Sequence, residues 1–381
     1  MLPFLEPDHL ILRERTRHWV EDKGLSFSRH HGNLAANAIA LVRELGAEGF
    51  LKHAVPEEFG GTRATVQARD LCVLREELAR ADALADTMCA MQALGSYPIS
   101  LAGNREQKSR LLPAIARGEC IAAFAITEPD AGSDVASLQT RAERHGNEFR
   151  LTGTKRFISN AGIADNYVVF AATAPEKKAK GISAFLLAAN TPGLFLKEKI
   201  EMLAPHPIGV IEFADCVVDE DALLGKEGAG LQIAFATLDL LRCSVGAAAV
   251  GLAQRALDEA VQYSKTRRQF GQPLAEFQGI EFKLAEMATE LEASRLLVYQ
   301  AAWAHDCADD DAKRKSSMAK FYATEAAQRI VDQALQIHGG NGLIAGSIME
   351  RLYRDVRALR IYEGTSEIQK LIIARSLLKR S

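Results

Sequence analysis

LGKEGAGLQIAFATLDLLRCSVGAAAVGLAQRA, residues 224–256, is where the chain changes its period. Past the glycine-rich opening, Leu231, Phe235, Leu238, Leu241, Val245, Ala248, Leu252 and Ala256 recur every three or four residues, the spacing of one helix face. At helical rise this predicts a helix roughly ten turns long. Upstream, from about Cys120 to Val218, the period is two. Leu138, Thr140, Ala142 and Arg144 alternate, His145-Gly146-Asn147 offers a hairpin turn before Glu148, and Tyr167–Ala171, Ile182–Leu187, Leu194–Lys197 and Val210–Phe213 are β-rich. Farther upstream, Glu6 to about Pro113 is helical, with Leu71, Leu74 and Leu78 on one face and a turn at Phe59-Gly60-Gly61-Thr62. Downstream, Phe277, Ile280, Leu284, Met287 and Leu291 mark a second long helix. Ala323, Ala327, Ile330, Ala334 and Ile337 mark a third, and Ile368 to Leu378 a last. The order α, β, α lacks the strand-helix alternation of a doubly wound sheet. It predicts an α+β, mainly α protein: an N-terminal all-helical domain over 1–117, a central β domain over 118–224 and a C-terminal four-helix bundle over 225–381.

The 381 residues are 48% hydrophobic and 25% charged, enough for a large core. A formal net charge of -3 gives no basic field, so neither nucleic acid nor an anionic membrane is an expected partner. The six cysteines are never closer than seventeen residues apart, which excludes CxxC pairs and zinc knuckles and predicts scattered reduced thiols and no metal. The start, MLPFLEPDHLILRERTRHW, mixes acids with bases and has no sustained apolar run; Ser244–Ala253 is too short to span a membrane. A cytoplasmic address is the expectation.

Four segments can carry chemistry. Gly339-Gly340-Asn341-Gly342 follows a helix instead of a strand, so it reads as a helix C-cap and turn, not a dinucleotide fingerprint. Phe124 to Asp134 leaves a β run for a loop in which Thr127 and Ser133 can present hydroxyls; it reads either as a plain turn or as a cradle for a polar ring edge or phosphate. Phe157 and Ser159, two apart, share a face if their segment is a regular strand, and an aromatic beside a hydroxyl suits a flat heterocycle as well as a core. In Arg351 to Gln369, four arginines on a short helix precede Glu363-Gly364, and Thr365 is placed to cap the next helix. Glu363 there is either a solvated capping carboxylate or a group held against a ligand, with Gly364 allowing close approach.

Together these segments resemble the acyl-CoA dehydrogenase family over nearly the whole chain. The resemblance rests on Ala125-Ile-Thr-Glu-Pro-Asp-Ala-Gly-Ser-Asp134, Gly153-Thr-Lys-Arg-Phe-Ile-Ser-Asn160, Arg267-Arg-Gln-Phe-Gly271, Gln336-Ile-His-Gly-Gly-Asn-Gly342 and Ile361-Tyr-Glu-Gly-Thr-Ser-Glu-Ile-Gln369. It implies a β-barrel-like central domain, a homotetramer built as a dimer of dimers, non-covalent FAD, an acyl-CoA substrate and electron-transferring flavoprotein as electron acceptor. By matching motifs, Phe124, Ile126, Thr127, Ser133, Phe157 and Ser159 would line the flavin and its phosphates. Arg267, Phe270, Gln278, Gln336, Gly339 and Gly340 would hold the nucleotide half across a dimer, with Thr365 and Glu367 completing it. Ser133, Asp239, Arg242, Glu363 and Gly364 would meet substrate, and Glu363 would be the catalytic base, as in the medium- and short-chain-like branch. Branches that carry the base on the long helix place it at the position matching Leu241, where leucine cannot serve.

Three departures stand out: Phe157 where many members have tryptophan, Ser159 where they have threonine, and the unusual loop Met202-Leu-Ala-Pro-His-Pro207. His206 is either a substrate contact or a solvated loop histidine. The expected reaction is α,β-dehydrogenation of an acyl-CoA to the trans-2-enoyl-CoA. The alternatives are another flavin reaction on the same fold, thioester desulfination or oxygenation, and a catalytically idle binding homologue.

Overall fold

A computed structural model describes residues 4–25 and 33–378, so Met1–Pro3 of the opening segment read above lie outside the described residues. Five helices come first: α1 (Pro7–Asp22), α2 (Leu34–Ala47), α3 (Ala68–Ala81), α4 (Ala83–Ala102) and α5 (Arg105–Ala116). Eight strands follow: β1 (Ala122–Ala125), β2 (Arg141–His145), β3 (Glu148–Ser159), β4 (Asn166–Ala172), β5 (Ile182–Ala188), β6 (Leu194–Lys199), β7 (Ile208–Asp219) and β8 (Leu223–Leu224). The chain then returns to helix in α6 (Gly230–Thr266). A small hairpin of β9 (Arg268–Gln269) and β10 (Gln272–Pro273) leads to α7 (Gln278–Asp306), α8 (Ala312–His338), α9 (Ile348–Ala358) and α10 (Ser366–Leu377). The fold is mainly helical, with an N-terminal helical domain, a central sheet domain and a C-terminal helical domain.

Two compact units emerge, one of 1–31, 67–86 and 240–381, the other of 32–66 and 87–239. In the second, the eight-stranded sheet runs β6-β7-β3-β2-β4-β5-β8, with β1 pairing parallel to β4. Its core joins Ile99, Leu112 and Ile115 from the helices to Val168, Phe170, Ile182 and Leu224 from the sheet. Gly95 lets α4 ride close on β1, since a Cβ there would lie 2.5 Å from that of Ala122. In the first unit, polar groups share the packing. Glu76 of α3 accepts from Tyr299 (2.5 Å) and Arg295 (2.9 Å), and Glu77 takes both prongs of Arg17 (2.8 and 2.9 Å).

Three local expectations change. The alternation from Leu138 does not begin a strand, because the Glu128 carboxylate captures the amides of Gln139 (2.5 Å) and Thr140 (2.9 Å), and β2 starts at Arg141. The helix carrying the arginines ends at Ala358, which leaves Arg360 free of it to pair with Glu325 (2.8 Å). Finally, α6 does contain a window as apolar as a membrane span, but 78% of it is buried inside the protein, the signature of a core helix.

Candidate active site

Between α9 and α10 the chain makes a compact knot: the amides of Ile361 and Tyr362 donate to Ala358 O (2.9 and 3.2 Å), and that of Ser366 to Arg360 O (3.1 Å). Glu363 and Gly364 both take left-handed backbone, φ 53 and 91. For glutamate that conformation is strained by ~1–3 kcal/mol and persists only where the surroundings impose it. They do. Gln369 Nε2 donates to Gly364 O (2.9 Å) and, more loosely, to Glu363 O (3.4 Å). A Cβ on residue 364 would fall 2.6 Å from that same nitrogen, so glycine is required while the bond exists. From α8 the fully buried Lys320 Nζ donates to Tyr362 O (3.0 Å) and Gly364 O (2.6 Å). Thr365 caps α10, accepting from Ile368 N (3.4 Å), as the sequence predicts.

The Glu363 residue keeps partial exposure, yet its Oε2 is buried and makes no hydrogen bond among the described residues. Burial raises its pKa above the ordinary carboxylate value, against the pull of Arg75, Lys320 and Arg242, with Asp86 adding to the rise. Arg75 is itself buried, forked onto Asp86 (2.8 and 3.0 Å) with its third nitrogen on Ser244 Oγ (3.0 Å). Lys320 is pushed down to about 8 by burial, Glu363 opposing the shift. A carboxyl with a raised pKa is better matched to a weakly acidic C–H proton than an ordinary carboxylate is. Glu363 is not a solvated capping group.

Arg75, Asp86 and Lys320 are absent from the sequence reading, and Gln369 enters it only as the end of a motif, without a role. The signal for Lys320 exists: with Ser316, Ala323 and Ala327 it lies on the small-residue face of α8, where a lysine can only be buried. Arg242, expected near substrate, is 5% exposed and acts electrostatically on Glu363, whereas Asp239 is half-buried.

In the sheet unit, Ile126 is buried, Phe124 and Thr127 are half-buried and Ser133 is exposed. Their loop is locked from beneath. Lys155, fully buried, donates to Glu128 Oε1 (2.7 Å) and Ile126 O (3.2 Å), and Arg156 N donates to Thr127 O (2.9 Å). Phe157 and Ser159 do not follow strand alternation. Between Lys155 and Ile158 the pairing with β7 slips by one residue, a bulge that puts Phe157 at φ 56 and leaves the residue 46% exposed. Ser159 Oγ lies 3.0 Å from His206 Nε2, while His206 Nδ1 is 3.1 Å from Ala204 O. His206 is therefore not a solvated loop histidine; burial lowers its pKa, and Nδ1–H to the carbonyl leaves Nε2 to accept from the serine. A cavity of about 480 Å³ lined by Glu128, Asp130, Gln139, Arg141, Arg150 and Thr154 opens beside this loop, but its mixed charges include neither Phe157 nor Ser159.

The remaining expected residues lie on the surface of the helical unit. Arg267, Gln278, Gln336, Gly339, Gly340 and Glu367 are exposed, and a Cβ at either glycine would meet nothing within 4 Å. Gly339, at φ 57, is the C-cap of α8, as its place after a helix predicts. Phe270 tips the β9-β10 hairpin at φ 51 and is 95% exposed.

Sequence profiles described as acyl-CoA dehydrogenase N-terminal, middle and C-terminal domains match residues 6–119, 123–216 and 228–378. An acyl-CoA dehydrogenase of Bacillus subtilis (strain 168) is 43% identical over 89% of this chain and 89% of its own length. A 3-(aryl)acrylate reductase of Clostridium sporogenes (strain ATCC 15579) is 40% identical over 99% of this chain and 100% of its own. The solved structure of an acyl-CoA dehydrogenase complexed with FAD from Bacillus anthracis superposes with a TM-score of 0.90 at 32% identity, covering 99% of this chain and 68% of that one. With its domains matched in order and its length spanned by such relatives, the chain belongs to the acyl-CoA dehydrogenase family.

Proposed function

We propose that the protein is an FAD-dependent acyl-CoA dehydrogenase in which Glu363 removes the α-proton of the thioester. The observation that carries this reading is the Glu363 carboxyl itself: Oε2 buried and without a hydrogen-bond partner among the described residues, the pKa raised, and the residue held in strained backbone by two side chains. Strain and an orphaned buried charge persist where function uses them.

The residues present fit FAD. An exposed aromatic ring at a strand bulge beside a hydroxyl (Phe157, Ser159) suits a flat ring and its polar edge. Exposed hydroxyl, guanidinium and amide donors (Ser133, Arg267, Gln278, Gln336) suit a pyrophosphate and nucleotide, as do open glycines (Gly339, Gly340). Phe124, Ile126, Thr127, Phe270, Thr365 and Glu367 would complete that set. When bound, FAD accepts the β-hydrogen with its electron pair, a redox step no side chain can perform. The backbone amide of Glu363, which donates to no carbonyl among the described residues, would donate to the thioester oxygen and so acidify the α-C–H. Arg242, Gly364, Ser133 and Asp239 would position the acyl-CoA. Electron-transferring flavoprotein would be the acceptor, and the assembly a cytoplasmic homotetramer.

Glu363→Gln tests the base. The variant should bind FAD and stay yellow while anaerobic bleaching by acyl-CoA slows by roughly 10² to 10⁴; bleaching at the wild-type rate would remove Glu363 from the mechanism. A second reading is favoured by the whole-length match to an arylacrylate reductase: the same site run toward reduction, Glu363 delivering the α-proton. A panel of short, branched and 3-arylpropionyl thioesters, with the matching enoyl compounds offered to dithionite-reduced enzyme, separates the two by which direction turns over.

A further inference from the structure

We infer that Lys320 is a positioning residue for proton abstraction, its ammonium fixing both the aim of the Glu363 carboxylate and the direction of the Glu363 amide. The inference rests on Glu363 being the base.

A fully buried ammonium is costly unless its protons find acceptors. Lys320 spends two of them on main-chain carbonyls, Tyr362 O at 3.0 Å and Gly364 O at 2.6 Å, and has no carboxylate within ion-pair distance among the described residues. Those carbonyls bracket Glu363. Because a peptide unit is planar and trans, holding Tyr362 O on one side points the Glu363 N–H the opposite way. A charged donor on that oxygen also polarises the unit, which strengthens the N–H as a donor. With the far side held at Gly364 O by Lys320 and Gln369 together, the Cα–Cβ bond of Glu363 has one direction, imposed in a backbone region glutamate avoids. The lysine thus serves the base and the carbonyl-polarising amide through one contact set.

Its charge acts as well. Lys320 faces Glu363, Arg242, Glu325 and Glu367, and Glu363 faces Arg75, Lys320, Arg242 and Asp86. Arg75 is already forked onto Asp86, so Lys320 is a cation near Glu363 that no carboxylate neutralises by contact. A plain structural strut would hold the turn without touching the ionisation of the carboxylate, and this difference can be measured.

Lys320→Met keeps the length of the side chain and removes charge and donors; Lys320→Gln keeps a donor without charge. Both are read as FAD-loaded enzyme by the rate of anaerobic flavin bleaching against pH, beside Glu363→Gln. For Lys320→Met we expect the limiting rate to fall at least ~10-fold and the acid limb of the profile to move up by about one pH unit, as loss of a neighbouring cation makes the carboxylate harder to ionise. Lys320→Gln should recover part of the rate but none of the displacement of the acid limb. An acid limb at its wild-type position in a loaded variant overturns the inference. So does loss of FAD from both variants, which would assign the lysine to folding alone. If Glu363→Gln bleaches normally, the base assignment fails and the inference with it; if that variant is dead and Lys320→Met is indistinguishable from wild type, only the inference fails.

Discussion

Glu363 combines features that a stability-optimised residue would not: positive φ, a buried oxygen without a hydrogen bond and a raised pKa. The raised pKa makes a stability prediction with a definite sign. A carboxyl whose folded pKa exceeds its unfolded value binds its proton more tightly when folded, so stability falls as pH climbs from the ordinary value to the raised one and is then level. Glu363→Gln has no such slope. Its melting temperature should exceed that of wild type at about pH 8 and converge toward it as pH drops to ~4.5; a variant less stable than wild type at the higher pH would show that the carboxylate is well solvated after all. Sequence singled out Glu363 because it sits in a motif that matches the family, whereas local pattern alone favoured a helix cap. What decides between the readings is burial and the arrival of Arg75 and Lys320 from other helices, information carried by three-dimensional packing and only hinted at by a lysine on an alanine-rich face.

Among the elements, helices were the most legible, because a stripe every three or four residues survives small errors of boundary. The long α6 and, after it, α7, α8 and α10 lie where periodicity puts them. Strands were less so at the two places that matter for the proposed flavin site. One is the bulge in β3, where a single extra residue lifts Phe157 out of alternation and into exposure. Nothing in a period-two pattern announces a bulge. The other is the loop after β1, where Glu128 takes the amides of Gln139 and Thr140 and the ammonium of Lys155, so that burial, which favours its neutral form, loses to those donors and its pKa falls. This loop-to-strand lock should behave as a buried ion pair. Lys155→Met alone strands a carboxylate and should cost ~3–5 kcal/mol in denaturant unfolding. Adding Glu128→Gln should recover much of that loss, and additive losses in the double variant would mean the two groups do not act as a pair.

For the whole molecule, sequence foresaw the α, β, α order but not how remote residues meet. Cys72 and Cys243 illustrate this: far apart along the chain, their buried sulfurs lie 3.8 Å apart between α3 and α6. The surface adds a second lesson. Phe270 is 95% exposed in a backbone conformation bulky residues avoid, with Leu343 at 70% and Ile344 at 58% also on the helical unit. If a second copy of the chain covers the hairpin tip, as the proposed tetramer requires, burying each ring contributes about 2 kcal/mol. Phe270→Asp should then weaken association by about thirtyfold per tip and yield smaller species on dilution in light-scattering chromatography. An unchanged mass at every concentration would remove the tip from the interface. A practical consequence follows from Phe157 standing where the family often has an indole. The two tryptophans, Trp19 and Trp303, both belong to the helical unit, the first buried and the second 38% exposed. Emission excited at the red edge therefore watches that unit alone, and the sheet unit is dark in this channel. A fluorescence melt that departs from the circular-dichroism melt of the same sample, which sums over both units, would reveal that they unfold separately, without any label.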